Sequence, residues 1–220
     1  MNYPQLNDKD RDIVRYVEEY DFITIGQCYN IWLKDRKYGY DLARKRLNKI
    51  EKLGYLKSYK DTDNNYKEKI WYINEKYKDP SKHMILTMNI YSELIRLGAD
   101  IIYYKREEPW LDRKYKSDAF VIFRLDNYIY SSFIEVLEGT STQAFSQTKK
   151  YFNQKYSDIH ESEEPLNRIK EILNVFDVNF NYPHLVLVDN MKHKTEMNIS
   201  NYTNIISVDF KLNGLSKVFA

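Results

Sequence analysis

The nineteen residues from Tyr38 to Leu56, YGYDLARKRLNKIEKLGYL, constrain the chain more than any other stretch. Ala43, Leu47 and Ile50 recur at the i, i+4, i+7 spacing of a buried helix face. Lys45, Asn48 and Lys52 fall on the opposite side, with Arg44 and Lys49 flanking them. Gly54 stands where a left-handed cap ends a helix, and Tyr55-Leu56 begins something extended. Residues 31–60 hold ten Lys/Arg against three Asp/Glu, while the whole chain carries a net charge of only +2. A basic helix seated on an apolar stripe has the character of a nucleic-acid reader. A solvated surface helix has the same pattern, so the neighbouring segments decide between them.

Those neighbours read as a small helical unit. Asn7 or Asp8 can cap a first helix that buries Ile13, Tyr16, Val17 and Tyr20. Thr24 offers a second cap to a short helix over Ile25–Leu33. After Gly54, Leu56, Ser58 and Tyr59 start a strand, Asp61–Asn65 is dense in turn formers, and Ile70–Ile73 returns. Three helices followed by a β-hairpin is the order of a winged helix-turn-helix. The segment Arg46, Leu47, Ile50, Leu53, Gly54, Tyr55, Leu56 (R-x-L-x-x-I-x-x-L-G-Y-L) resembles the end of its recognition helix and the step into the wing. The resemblance implies a double-stranded DNA partner, with the third helix in the major groove and the hairpin against the backbone. The expected contacts are Tyr40, Arg44, Lys45 and Asn48 on the helix, with Lys57, Lys60, Lys67 and Lys69 on the wing. Arg and Asn suit guanine and adenine edges, and Lys suits phosphate. Protein–protein docking is the competing use of such a unit.

Residues 76–82, KYKDPSK, form a polar joint, which sets the expected domains at 1–78 and 83–220. An apolar-faced helix over His83–Leu97 ends at Gly98. Three runs rich in β-branched and aromatic residues follow, at Asp100–Tyr104, Asp118–Leu125 and Tyr128–Leu137. Asp126-Asn127 is a tight turn between the last two. Helices are expected over about Ser141–Tyr156 and Pro165–Phe176, and short apolar strands at Leu185–Val188 and Ile205–Val208. The expected fold is α+β or α/β, a sandwich around a mixed sheet.

Two acids stand out in that sheet. Asp118 opens one strand and Glu135 lies near the end of the next, so a hairpin brings both to one end. Divalent cations such as Mg²⁺ are commonly held by one or two carboxylates with phosphate oxygens, which suits phosphodiester chemistry. The pattern D-A-x-x-x-F, a hairpin, F-I-E-V-x-x-G-T and a helix with K-K-Y-F resembles the nuclease-like domain of replication-relaxation proteins. That family joins a winged helix to a core similar to PD-(D/E)XK restriction endonucleases. Its members are associated with plasmids, integrating elements and phages.

The resemblance implies a catalytic and metal-binding role for Asp118 and Glu135. The lysine expected two residues after the glutamate is Leu137 here, so Lys149 or Lys150 on the following helix is the candidate replacement, and Glu93 is a candidate extra acid. Ser117 stands where the family has proline. With its lysine displaced, the second domain is expected to be an inactive scaffold. A DNA-binding protein acting in replication, relaxation or transfer of a mobile element is the leading expectation. It would need no cofactor for DNA, could meet relaxosome or replication proteins, and could form a homodimer. A Mg²⁺-dependent DNA endonuclease and a transcription regulator with a dimerisation or sensing domain are the alternatives.

Composition narrows the classes. The chain has 220 residues, 43% hydrophobic and 30% charged, with one cysteine, so no internal disulfide or cysteine zinc cluster can form. The histidines lack the spacing of a zinc hydrolase, and no phosphate-binding glycine loop occurs. No apolar run reaches the roughly 20 residues of a membrane span. The polar opening MNYPQLNDKDRD is unlike a signal peptide, so a cytoplasmic location is expected.

Overall fold

The computed structural model describes residues 6–60, 68–137, 142–175, 178–189, 205–213 and 215, with side chains in 142–161 described from 150 onward. The chain divides into two compact units, residues 1–96 and 97–220. The division falls after the helix over 82–96, not at the polar joint of 76–82, because that helix packs into the first unit.

The first unit begins with α1 (Asp8–Tyr20), capped by the Asn7 side chain, which accepts from the Asp10 N–H at 2.9 Å. The strand β1 (Phe22–Thr24) leads directly into α2 (Ile25–Cys28). A reciprocal capping box starts α2: Gln27 N–H donates to Thr24 Oγ1 at 3.2 Å, and Thr24 N–H donates to Gln27 Oε1 at 3.0 Å. A wider turn over Tyr29–Leu33 continues it, and α3 (Gly39–Lys52) follows. Gly54, at φ +80°, closes α3, and the Tyr55 N–H returns to the Ile50 carbonyl at 3.2 Å.

The strands β2 (Lys57–Tyr59) and β3 (Ile70–Tyr72) join β1 in an antiparallel sheet of order β1-β3-β2. The turn expected at 61–65 lies outside the described residues. Ile13, Val17, Phe22, Cys28, Ala43, Leu47, Ile50 and Trp71 are all buried in this unit.

The helix α4 (Lys82–Arg96) completes the unit. Gln27 Nε2 donates to Asn89 Oδ1 at 2.9 Å, and the Tyr20 and Tyr91 rings lie 5.0 Å apart. Lys34 Nζ donates to the carbonyls of Ile95 and Arg96 at 2.8 and 2.9 Å, placing a cation at the negative end of the helix.

Among the described residues, the second unit holds a five-stranded mixed sheet of order β4-β5-β6-β7-β8. Its strands are β4 (Asp100–Trp110), β5 (Tyr115–Leu125), β6 (Tyr128–Val136), β7 (His184–Val188) and β8 (Ile205–Val208). The pairs β4/β5 and β5/β6 are antiparallel, whereas β6/β7 and β7/β8 are parallel. A parallel neighbour requires a crossover, and α5 (Thr142–Glu161) and α6 (Glu164–Leu173) lie in the connection from β6 to β7.

Phe120, Ile122, Phe133, Leu185 and Leu187 on the sheet pack with Phe152, Tyr156 and Ile159 of α5 and Ile169 of α6. Trp110 is in this core, edge-on to Phe120 and Phe133, with its indole N–H on Ser117 Oγ at 3.1 Å. No helix of the described residues is long and apolar enough to cross a membrane.

Two expectations need correcting here. The first strand runs on to Trp110 rather than stopping at Tyr104, and β5 begins at Tyr115, so Asp118 is an internal residue of its strand and does not open it. Charged residues and Pro109 gave residues 105–110 the look of a loop, yet β4 is the sheet's edge strand, where a missing N–H is tolerated. Trp110 and Tyr115 pair across a turn whose Leu111, Asp112 and Arg113 all have positive φ.

Candidate functional site

Two places gather the chemistry expected from the sequence. The first is the surface of α3. Ala43, Leu47 and Ile50 are fully buried, so the helix turns Asp41, Lys45 and Lys52 outward. Gly39 at its start admits no side chain, because a Cβ there would lie 2.2 Å from the Leu33 carbonyl oxygen and 2.9 Å from the Tyr29 ring. The helix therefore starts hard against the preceding turn.

The cations of α3 divide by their partners. Asp10 of α1 is completely buried, and Arg46 Nη1 and Lys49 Nζ reach its two oxygens at 2.6 and 2.8 Å. Those two residues tie α3 to α1, since releasing them would strand a charge in the core. Arg44 pairs with Asp41 at 2.8 Å, but both groups are exposed, and such a pair is worth only about 0–1 kcal/mol. Lys45 and Lys52 are exposed and have no ion pair among the described residues. Asn48 is half-buried and accepts from Lys69 Nζ at 3.4 Å.

The hairpin is docked to this helix through Glu51. Its carboxylate accepts from Ser58 Oγ at 2.6 Å, and from Lys69 Nζ and the Trp71 indole N–H at 3.0 Å each. Lys69 also lies over the Trp71 ring at 4.7 Å. Lys57 is paired with Glu75 at 2.8 Å, and the Tyr40 hydroxyl donates to Glu68 at 3.1 Å. Lys60 is exposed, and Lys67 lies outside the described residues. The described members of the expected contact set thus lie on or beside one helix and its paired strands, though Lys69 and Asn48 are engaged with each other.

The second place is the carboxylate cluster of the sheet. Ala119 pairs with Ile134, so one step further along the ladder Asp118 stands opposite Glu135. Asp118 Oδ2 accepts the Val136 N–H at 2.8 Å. Glu135 is only 3% exposed, and Lys155 Nζ donates to its Oε1 at 2.5 Å. The Tyr156 hydroxyl donates to that same oxygen, and Lys155 also donates to the Lys116 carbonyl. Burial pushes the Glu135 carboxyl up to about 7; the Lys155 charge pulls it down and the neighbouring Asp118 pushes it further up.

The amine that meets Glu135 is therefore Lys155. Lys150 is exposed, and the side chain of Lys149 lies outside the described residues. Glu93 belongs to the first unit, where Arg96 holds it at 2.5 and 2.7 Å. The sequence did carry a signal for Lys155. Phe152, Lys155, Tyr156 and Ile159 form an i, i+3, i+4, i+7 stripe, and a lysine inside an apolar stripe requires a buried partner.

Asp118 and Glu135 stand opposite each other on β5 and β6, and two carboxylates are a common protein contribution to a magnesium ion. Their number fits such an ion, although Glu135 is already neutralised by Lys155. Among the described residues, no group of three or more His, Cys, Asp and Glu side chains gathers to hold a metal. Comparisons of the chain with family descriptions, with curated proteins and with solved structures find no match.

Proposed function

We propose that residues 1–96 are a winged-helix module that grips double-stranded DNA, with α3 in the major groove and the β2–β3 hairpin against the backbone. Residues 97–220 act as a restriction-endonuclease-like scaffold. The whole protein serves replication, relaxation or transfer of a mobile element. The observation that supports this most is the outward face of α3, where exposed Lys45 and Lys52 oppose a fully buried stripe. The exposed Arg44 and Lys57 pairs are weak enough to exchange their carboxylates for phosphate. Asn48 offers an amide of the kind that reads adenine.

The test is titration of the full chain with random-sequence duplex across a salt series. About five phosphate contacts give a log–log slope of roughly −4 to −5. Replacing Lys45 and Lys52 together by alanine should make that slope shallower by about two. Absence of binding at low salt, or a slope that the double substitution leaves untouched, would sink the reading.

A second reading has one specific observation in its favour, the meeting of Lys155 with Glu135 beside Asp118. In a DNA endonuclease, Asp118 and Glu135 would hold a magnesium ion, whose chemistry is Lewis-acid activation at a phosphodiester. Lys155 would hold a proton at Nζ beside the carboxylates. Plasmid nicking that requires Mg²⁺ and disappears in Asp118→Asn would establish it. Intact plasmid after prolonged incubation leaves the scaffold reading in place.

A further inference from the structure

At the other end of β6 from Glu135 lies a cavity of about 380 Å³ that neither reading uses. It is bounded by the β5–β6 turn, the first residues of β6, the segment 178–182 and the start of β7. This volume is within the range of small-molecule sites.

Its walls are aromatic. Tyr128, Tyr130, Phe180 and Tyr182 line it. The Tyr128 and Tyr130 rings meet at 59° with centroids 6.5 Å apart, and Tyr130 is backed by Phe123, stacked at 5.4 Å and 20°. A ring braced in this way is a firm surface for another ring. Tyr128 is 68% exposed, an unusual position for so large an apolar surface beside a tight turn.

The polar side chains are amides, hydroxyls and one imidazole. Asn127, Asn179 and Asn181 contribute amides, each of which both donates and accepts. His184 is half-buried, and burial lowers its pKa, which favours the neutral ring with one donor and one acceptor. Among the described residues, no Asp, Glu, Lys or Arg lines the cavity.

This chemistry selects a class of ligand. A phosphate or carboxylate would find no cation, and a primary amine no counter-ion. A quaternary ammonium could lie against the rings but would leave the amides unused. A neutral planar heterocycle uses both, stacking on the rings while its edge exchanges hydrogen bonds with the amides. We propose that this cavity binds a nucleobase, presented either by a free nucleoside or by an unpaired base of a single strand. The proposal goes beyond duplex gripping by α3 and does not depend on it.

Calorimetric titration of the full chain with each of the four deoxynucleosides tests it. Parallel titrations use a short single strand, the same strand made abasic, and choline. At least one nucleoside or the intact strand should bind saturably. Tyr128→Ala and Asn181→Ala, both at exposed positions and checked for unchanged urea unfolding, should each weaken binding about tenfold. Intact-strand binding lost in the abasic strand identifies an unpaired base as the source. Nucleoside binding without strand binding identifies the free compound. Replacing Lys45 and Lys52 should leave the nucleoside titration unchanged, which separates this site from the duplex surface. Saturation by choline alone, no saturation by any base, or variants that bind like the original chain would overturn the proposal.

Discussion

Lys155 Nζ stands 2.5 Å from Glu135 Oε1, and the two side chains are only 2% and 4% exposed. Removing two ions from water costs several kcal/mol each, and their attraction offsets this only with further hydrogen bonds. Both ions have them: Tyr156 donates to Glu135, and Lys155 donates to the Lys116 carbonyl. The pair therefore joins α5 to β5 and β6, whatever else it does.

Lys155→Met should destabilise the protein by about 3–5 kcal/mol at pH 8, because a buried carboxylate loses its counter-ion. Adding Glu135→Leu should recover most of that loss. Urea unfolding of the two variants beside the original chain measures both effects. A single variant as stable as the original would show that Glu135 is not charged in the fold.

The same variant has a pH signature. In the folded chain, burial already holds the Glu135 carboxyl above its ordinary value of 4.5, and removing Lys155 takes away the influence that lowers it. A group raised on folding contributes stability below its unfolded pKa and loses it as pH rises through the folded one. Lys155→Met should thus be least stable at alkaline pH and recover as pH falls toward 4.5. A penalty constant with pH would contradict the assignment.

Asp158 gives the opposite sign. Lys114, Tyr115 and Gln154 donate to its carboxylate at 2.7, 2.6 and 2.6 Å, and these bonds hold its pKa down at about 2, from an ordinary 3.8. Its contribution is complete above pH 3.8 and disappears as pH falls toward 2. Asp158→Asn should remove part of the acid sensitivity of unfolding between those values, read as the urea midpoint against pH.

Asp10, Arg46 and Lys49 make an asymmetric prediction. Asp10 is wholly buried, whereas Arg46 and Lys49 side chains are 30% and 52% exposed. Asp10→Ala frees two cations that water can reach, at a cost of about 1.5–3 kcal/mol. Arg46→Ala with Lys49→Ala strands the buried acid and should cost more, about 3–5 kcal/mol. Equal losses in the two unfolding experiments would contradict this asymmetry.

Gly39→Ala should cost about 1–3 kcal/mol or more, since the new Cβ meets backbone rather than a flexible side chain. If α3 is the groove-facing helix, duplex affinity should fall as well, because the start of that helix must shift. Circular dichroism melting and the salt titration measure the two effects separately.

Local signals carried much of the fold. Asn7 and Thr24 accept from backbone N–H groups three residues on, and Gly54 adopts the positive φ of a helix end; each is settled within one turn of chain. The stripe of Ala43, Leu47 and Ile50 was legible for the same reason, because a helix repeats its face every few residues. The β-branched and aromatic runs of β5 and β6 and their two-residue turn were also readable. Glu135 was visible as a charged residue amid apolar ones.

What the local signals could not supply depended on distant partners. The three-residue strand β1 exists because it pairs with β3 far along the chain, Phe22 against Tyr72. Residues 105–110 are a strand because Tyr115–Phe120 lies beside them. Arg46 and Lys49 look like free cations until Asp10 is found between them. The sequence by itself determined a basic amphipathic helix before a hairpin, and a sheet carrying two acids. Only tertiary structure decided which cations of that helix are spent inside the fold, and that Lys155 rather than Lys149 meets Glu135. Helix and strand periods are set by neighbouring residues, whereas a charge is assigned by whatever packing brings against it.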